Sequence, residues 1–205
     1  ESVHREKKTE KSHIHCAALT PEEAYVCLVD VGTDEILVYA ADSLELVDTV
    51  KFPEGSGPRH IVFSSKGSYA YVITESSSEV FLMAYTPEQE RKLVILGSNS
   101  TEPVGFGGAA GIRISPGERF VLASNRNADS ISVFQIRENG WLRLVHNEIV
   151  PCGCPRDFQF TPDGKWVIVG LQTTDRLAVY KFNENGTMEQ VSFVDEIERP
   201  TCIVF

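Results

Sequence analysis

The hydrophobic and polar positions of this chain follow one pattern that occurs four times. Residues 57–75 read GPRHIVFSSKGSYAYVITE: a short apolar strand, a polar turn and a second strand rich in aromatic and β-branched residues. The pattern aligns Ser65 with Pro21, Pro116 and Pro162, and these four anchors lie 44, 51 and 46 residues apart along the chain. A repeat of this length indicates a fold built from similar units.

Each unit contains two further strands. The third has a fixed apolar frame, as at Val80, Leu82 and Met83, and a looser apolar run such as LELVDTV follows it. Helical periodicity is almost absent, so we predict an all-β propeller with four four-stranded blades. The approximate blade boundaries are 13–56, 57–107, 108–153 and 154–199, and residues 1–12 are expected to form an exposed loop.

The last six residues, PTCIVF at 200–205, superpose on PRHIVF at 58–63. We therefore expect a closing strand at 200–205, because a propeller ring closes when the last strand completes a blade begun by the N-terminus. No strands ahead of residue 13 could complete that blade. We expect that N-terminal blades are missing, and that these blades or a second copy of the chain cover the open blade edges.

Composition narrows the class of function. The net charge of -10 argues against a general nucleic-acid or membrane surface, since both require a basic face. No apolar run approaches the roughly 18 residues of a membrane span. The five cysteines contain no CxxC pair, which favours buried thiols in a cytoplasmic protein. His13 and His15 have alternate spacing but no obvious third ligand, so we predict neither a metal nor another cofactor.

Polar residues recur at the two ends of the innermost strand pair. Neighbouring strands of a blade run antiparallel, so the start of strand one and the end of strand two lie on the same face of the disc. Six residues before the anchors stand His15, Arg59, Ala110 and Arg156, and ten residues after them stand Val31, Glu75, Arg126 and Gln172. Adjacent positions add His13, Asp30, His60, Asn125 and Asp157. We expect this set to surround the mouth of the central channel, because strand one is innermost in a blade.

This rim contains more cations than acids in a chain that is acidic overall. Such a distribution favours a pocket for a small anion. A structural alternative stays open for each residue, since arginine and aspartate side chains at blade junctions often pair across blades to satisfy buried charge.

The same residues carry a family resemblance that runs from residue 13 to residue 205. HIHCAALTPEEAYVCLVDVGTDEILVY, GPRHIVFSSKGSYAYVITE, IRISPGERFVLASNRNADSISVF, PRDFQFTPDGKWVIVGLQTTDRLAVYKF and PTCIVF resemble the lactonase family of seven-bladed propellers. The resemblance implies a seven-bladed full-length protein. It also implies hydrolysis of 6-phosphoglucono-1,5-lactone to 6-phosphogluconate, the second step of the oxidative pentose phosphate pathway.

The resemblance assigns a site to His13, His15, Arg59, His60, Glu75, Arg126 and Arg156. Lactone hydrolysis requires a base that activates water and a positive group for the developing oxyanion. We hypothesise that Glu75 or a neutral histidine of the His13/His15 pair is the base, with Arg59 and His60 at the carbonyl oxygen. Arg126 and Arg156 would clamp the phosphate by paired hydrogen bonds, with Gln172 and Asn125 as further substrate-binding residues.

Two alternative functions remain at this point. One is a lyase or isomerase that acts on muconate-like or other sugar-acid lactones, for which the same basic rim would serve. The other is a propeller that acts as a binding scaffold without turnover, because fold alone does not prove chemistry.

Overall fold

The computed structural model describes residues 12–102, 107–151 and 153–205, and these residues form four four-stranded antiparallel sheets. Blade 1 contains β1 (Ile14–Leu19), β2 (Tyr25–Asp30), β3 (Glu35–Ala40) and β4 (Leu46–Lys51). Blade 2 contains β5 (Pro58–Phe63), β6 (Tyr69–Thr74), β7 (Glu79–Tyr85) and β8 (Leu93–Ser100). Blade 3 contains β9 (Ala109–Ile114), β10 (Phe120–Asn125), β11 (Ser130–Ile136) and β12 (Leu142–Ile149). Blade 4 contains β13 (Pro155–Phe160), β14 (Trp166–Leu171), β15 (Arg176–Phe182) and β16 (Met188–Val194).

Within every sheet the strands pair in chain order. The predicted all-β propeller architecture with four-stranded blades is therefore confirmed. Apart from Ser12, the exposed loop expected at 1–12 lies outside the described residues.

A hydroxyl group holds the turn between the first two strands of each blade. In blade 1 the Tyr25 N–H donates to Thr20 Oγ1 at 3.1 Å, and in blade 4 the Trp166 N–H donates to Thr161 Oγ1 at 3.2 Å. Ser64 and Ser115 have the same role in blades 2 and 3. A serine or threonine directly before each anchor therefore closes the turn locally.

The core consists of apolar side chains that face each other across neighbouring blades. On β6, Ala70 and Val72 pack toward blade 1, while Tyr71 and Ile73 pack toward blade 3. Both faces of the strand are thus buried, which explains why YAYVI is a continuous apolar run and does not alternate. Each fully buried large apolar side chain contributes about 1.5–3 kcal/mol to folding.

Inner strands are buried by the blade that precedes them. Ile14 and Leu19 of β1 are 52% and 53% exposed. The residues equivalent to Ile14 are buried in the other three blades, and those equivalent to Leu19 are partly buried (Phe63, Ile114) or buried (Phe160). The described residues place no blade before β1, so no preceding blade among them covers Ile14 and Leu19.

Residues 200–205 form no strand, so the closing strand expected there is not formed. A strand needs a hydrogen-bonded neighbour along its edge. Here the Ile203 N–H donates to a side-chain oxygen, Asp157 Oδ2, at 2.9 Å.

The expectation of buried thiols holds in part. Cys27 is buried, Cys16 and Cys154 are partly buried, and Cys202 is exposed, all as free thiols. Cys152 lies outside the described residues. Among the described residues, no helix has the length and apolar character that crossing a membrane requires.

An aspartate holds the connection from one blade to the next. Asp34 has a φ of 53°, a left-handed conformation that aspartate tolerates. Its two carboxylate oxygens accept the Gly55 and Gly57 N–H groups, each at 2.8 Å. Asp129 and Asp175 accept linker N–H groups in the same way. The recurring aspartate is therefore a structural feature of the repeat.

We expect Asp34→Ala to lower the free energy of unfolding by about 1–3 kcal/mol, because two linker N–H groups lose their acceptors and alanine disfavours the left-handed φ. Asp34→Gly removes the strain of the left-handed φ but still loses both hydrogen bonds, so its loss in the free energy of unfolding should be intermediate. Asp34→Asn keeps one side-chain oxygen as an acceptor, so it should cause the smallest loss of the three. Urea unfolding curves measure all three, and wild-type stability of the alanine variant would contradict this role.

Candidate active site

One extra residue in the inner strand shapes the site. In blade 2, Pro58 pairs with Thr74 and His60 with Ile73, so Arg59 has no partner and forms a β-bulge. The register of β1 skips His15 in the same way, and that of β13 skips Arg156. Strand β9 has a register shift that includes Ala110. A bulge changes the direction of the side chains around it, so Arg59 and His60 both line the channel although they are adjacent in sequence.

The end of the second strand lies beside each bulge, as predicted. The backbone N–H groups of Glu75, Arg126 and Gln172 donate to the carbonyls of Gly57, Gly108 and Cys154, the residues that precede the inner strands. Blades 2, 3 and 4 therefore each present a pair of side chains at the mouth. These pairs are Arg59 with Glu75, Ala110 with Arg126, and Arg156 with Gln172.

Glu75 joins two arginines from different blades. Arg59 Nε donates to Glu75 Oε2 at 2.9 Å, and Arg126 Nη2 approaches Glu75 Oε1 at 3.0 Å. Arg126 Nε also donates to the Gly108 carbonyl at 3.0 Å. Burial raises the pKa of the Glu75 carboxyl, but the hydrogen bonds and charges of Arg126 and Arg59 outweigh burial and lower that pKa below its ordinary value. Glu75 is thus an ionised partner of both guanidiniums, which makes it a weak base.

Arg59 is almost fully enclosed, at 2% exposure. Besides its bond to Glu75, its Nη1 donates to the Ala110 carbonyl at 2.7 Å and contacts His60 Nε2 at 3.2 Å. Burial lowers the pKa of Arg59 to about 10, and the charge of Arg126 adds to this effect, yet the group stays protonated at neutral pH. Most of its donors are used within the protein, so little of it remains for a substrate oxygen.

Two imidazoles from neighbouring blades contact each other. His60 Nε2 lies 3.1 Å from His15 Nδ1, and the ring centroids are 4.9 Å apart. Burial and then the charge of Arg59 lower the pKa of His60 to about 3 and that of His15 to about 4. Both rings are therefore neutral at pH 7.

Blade 4 contributes Arg156, a cation that is held by one neutral side chain. Arg156 Nη1 donates to Gln172 Oε1 at 3.3 Å, and Arg156 has no ion pair with a carboxylate among the described residues. Its guanidinium is partly exposed and lines the same cavity as His15.

Sequence reasoning missed Arg113. Arg113 Nη2 lies 2.8 Å from Asp157 Oδ1, and both residues line the cavity. The sequence contains one signal that could have identified it. Arg113 stands three residues before its anchor, where the other three units carry uncharged residues, Ala18, Val62 and Gln159. Asp157 accepts from Arg113 and from the tail, which agrees with the structural alternative for that residue.

These side chains surround a cavity of about 440 Å³. Its charged and imidazole side chains are those of His15, Arg59, His60, Arg113, Arg156 and Asp157. Together with Arg126 and Glu75 at the rim, the described residues supply four arginines and two carboxylates, a net charge of two positive units around neutral imidazoles. A compact positive site of this kind attracts a dianion.

Two predicted site residues are elsewhere. The Asn125 side chain is fully buried, and its Nδ2 donates to the Thr101 carbonyl and to Ser130 and Ser132. The prediction that Asn125 binds substrate is therefore wrong, because the side chain is enclosed between β11 and the connection from blade 2 to blade 3. His13 is exposed, and none of the described contacts joins its ring to His15 or His60.

The acid predicted beside His13 is structural. Asp30 Oδ1 accepts the backbone N–H groups of His13, Gly32 and Thr33. Burial raises the pKa of Asp30, but hydrogen bonds, first that from Ser12, outweigh it and lower the pKa. In the described part of the chain, no three His, Cys, Asp or Glu side chains are grouped to hold a metal ion.

We expect Glu75→Gln to lower the free energy of unfolding by about 2–4 kcal/mol, because the buried Arg59 loses its ionic partner. The matched control is Asp195→Asn in the exposed Arg176–Asp195 pair, whose atoms lie 2.6 Å apart. Asp195→Asn should lower the free energy of unfolding by less than about 1 kcal/mol, since exposed ion pairs contribute little to stability. Equal losses in urea unfolding would show that Glu75 does not stabilise the arginines.

Comparison with known proteins assigns the chain to a family. The family described as Lactonase, 7-bladed beta-propeller matches residues 1–205. The 6-phosphogluconolactonase of Bacillus subtilis is 35% identical over 161 residues, covering 76% of this chain and 46% of the relative. That of Formosa agariphila is also 35% identical, covering 74% of this chain and 45% of the relative. The chain thus spans a little under half the length of these curated relatives.

Solved structures agree with this assignment. The periplasmic gluconolactonase of Pseudomonas aeruginosa superposes with a TM-score of 0.85 at 30% identity, covering 93% of this chain and 56% of that chain. A Lactobacillus plantarum protein superposes with a TM-score of 0.85 at 32% identity, covering 92% and 57%. Since the family match extends over the whole chain and the blades superpose on solved relatives, this chain belongs to the lactonase family of seven-bladed β-propellers.

Proposed function

We propose that the protein hydrolyses a sugar-phosphate lactone, 6-phosphoglucono-1,5-lactone, at the channel mouth. The observation that carries this proposal is the neutral His15–His60 pair inside a ring of arginines whose charge exceeds that of the nearby carboxylates. The names of the Bacillus subtilis and Formosa agariphila relatives support the same reaction.

The phosphate would bind to Arg156 and Arg126. Arg156 has a neutral partner, Gln172, and Arg126 shares Glu75 with Arg59, so both retain donors for an anion. A phosphate monoester carries about -1.5 to -2 charge at pH 7, which matches the excess positive charge of the site. Guanidinium groups bind phosphate through paired hydrogen bonds, which would hold the lactone ring in one orientation.

A histidine would act as the base that activates water. A neutral imidazole has a lone pair at pH 7, whereas the Glu75 carboxylate is held by two guanidiniums. Burial lowers the pKa of His15 most, and the positive charge of Arg59 adds to this effect. A dianionic substrate would offset the contribution of charge and so favour uptake of a proton by the imidazole. Arg59 would stabilise the developing oxyanion mainly through its positive field, since most of its donors are already used.

The test is turnover by the full-length gene product. We expect 6-phosphogluconate to form faster than by spontaneous hydrolysis. Its formation is measured with a coupled assay that contains a 6-phosphogluconate dehydrogenase. His15→Gln should lower kcat by about 10²- to 10⁴-fold, the usual range for loss of a general base. Arg156→Gln should raise KM for the phosphorylated lactone more than for glucono-1,5-lactone, because only the former presents a phosphate.

The matched control is Arg176→Gln, which removes an exposed arginine of blade 4 outside the cavity and should leave kcat/KM unchanged. The proposal fails if hydrolysis does not exceed the spontaneous rate. It also fails if His15→Gln and Arg156→Gln both behave like the control.

A further inference from the structure

We propose that Arg59 is a positioning residue that sets the tautomers of the two histidines, so that Nε2 of His15 is the lone pair that accepts a proton. This inference deepens the proposed function and assumes that an imidazole of this pair is the base. It assigns to Arg59 a role other than binding the carbonyl oxygen of the lactone.

The first step is the contact between Arg59 and His60. A guanidinium nitrogen donates hydrogen bonds and accepts none. Arg59 Nη1 carries two hydrogens, and it has two acceptors within reach, the Ala110 carbonyl at 2.7 Å and His60 Nε2 at 3.2 Å. His60 Nε2 must therefore be the unprotonated nitrogen. Neutral His60 then carries its proton on Nδ1.

The second step is the contact between the two rings. His60 Nε2 and His15 Nδ1 lie 3.1 Å apart, so one of these nitrogens must supply a hydrogen. His60 Nε2 has none, which places the hydrogen on His15 Nδ1. Neutral His15 therefore has its lone pair on Nε2.

The third step is the position of His15. Its ring is exposed at the mouth and lines the cavity of about 440 Å³ together with Arg156. Among the described residues, His15 Nε2 has no hydrogen-bond partner, whereas the single lone pair of His60 Nε2 is shared by two donors, Arg59 Nη1 and His15 Nδ1. Of the two lone pairs, that of His15 is thus the one available to a bound water.

The bulge in β5 makes this relay possible. It places Arg59 and His60 on the same side of the strand, where one contacts the other. Glu75 accepts a hydrogen bond from Nε at the other edge of the guanidinium, and the backbone carbonyl of Ala110 in blade 3 accepts one from Nη1. Arg59 is therefore held in one orientation from three sides, as a group that fixes a tautomer must be.

Two-dimensional ¹⁵N–¹H NMR of the imidazoles tests the proposal in the full-length gene product. The tautomer of each ring is read from the ¹⁵N shifts at pH 7, with assignments from His15→Gln and His60→Gln. We expect wild-type His15 and His60 both to be protonated on Nδ1. A wild-type His15 protonated on Nε2 would overturn the proposal without any variant.

Arg59→Gln removes the obligatory donor, so we expect His15 to populate both tautomers and kcat to fall at least 10-fold with a smaller change in KM. The matched variant is Arg156→Gln, which removes an equal charge near the histidines but no hydrogen bond to them. In this variant His15 and His60 should keep the tautomers that they have in the wild type. If Arg59→Gln leaves the tautomers unchanged, or Arg156→Gln alters them equally, the proposal is wrong.

The pH titration separates charge from hydrogen bonding. The charged groups around the imidazoles are Arg59, Arg113, Arg126, Arg156 and Glu75. Removal of a positive charge favours protonation, so both variants should raise the pKa of His15 from about 4 toward its ordinary value, Arg59→Gln more than Arg156→Gln. Since tautomers are read without turnover, absence of lactonase activity would refute the proposed function alone, and a reversed tautomer would refute this inference alone.

Discussion

The site depends on one backbone feature, the extra residue in the inner strand of each blade. In a regular strand, adjacent side chains point to opposite faces of the sheet, so Arg59 and His60 could not both reach the channel. The bulge at Arg59 removes this restriction, and the equivalent bulge at Arg156 brings Arg156 and Asp157 to the same cavity. The chemistry of the mouth therefore rests on a register that recurs in every blade.

The arginines at the mouth are stabilised by groups from neighbouring blades. Arg59 contacts Glu75 in its own blade and the Ala110 carbonyl in the next blade. Arg126 of that next blade forms the second ion pair of Glu75. Because burying an unpaired charge is costly, these contacts also join blades 2 and 3. Burial, and after it the positive charge of Arg59, keeps both imidazoles neutral at pH 7, so the proposed function can use a histidine lone pair at this site.

The repeat separates structural from functional positions. In every blade a hydroxyl group closes the first turn, and in three of them an aspartate holds the linker, as with Thr20 and Asp34 in blade 1. At the bulge the blades differ, with His15, Arg59, Ala110 and Arg156 at equivalent positions. Blades that share one framework therefore contribute different side chains to a common opening.

The fold followed directly from the sequence because hydrophobic patterning is local. The runs around Tyr71 and Ile73, the turn residues and the repeat length were enough to predict four four-stranded blades. The rim positions also followed, since antiparallel pairing brings the end of one strand to the start of its neighbour. Whether a side chain at the rim faces the channel was not predictable in the same way. Asn125 appeared to belong to the site and is buried, while Arg113 lies deeper in the strand and lines the cavity.

The sequence by itself therefore determined the propeller, its repeat and an excess of cations at the mouth. Only the tertiary structure decided that Arg59 is enclosed, that Glu75 is held by two arginines and that His15 contacts His60. These outcomes depend on a bulge in the strand register and on distances between blades. Residues 45 or more positions apart in the chain set those distances, as with His15 and His60, so no local pattern of hydrophobic and polar positions records them.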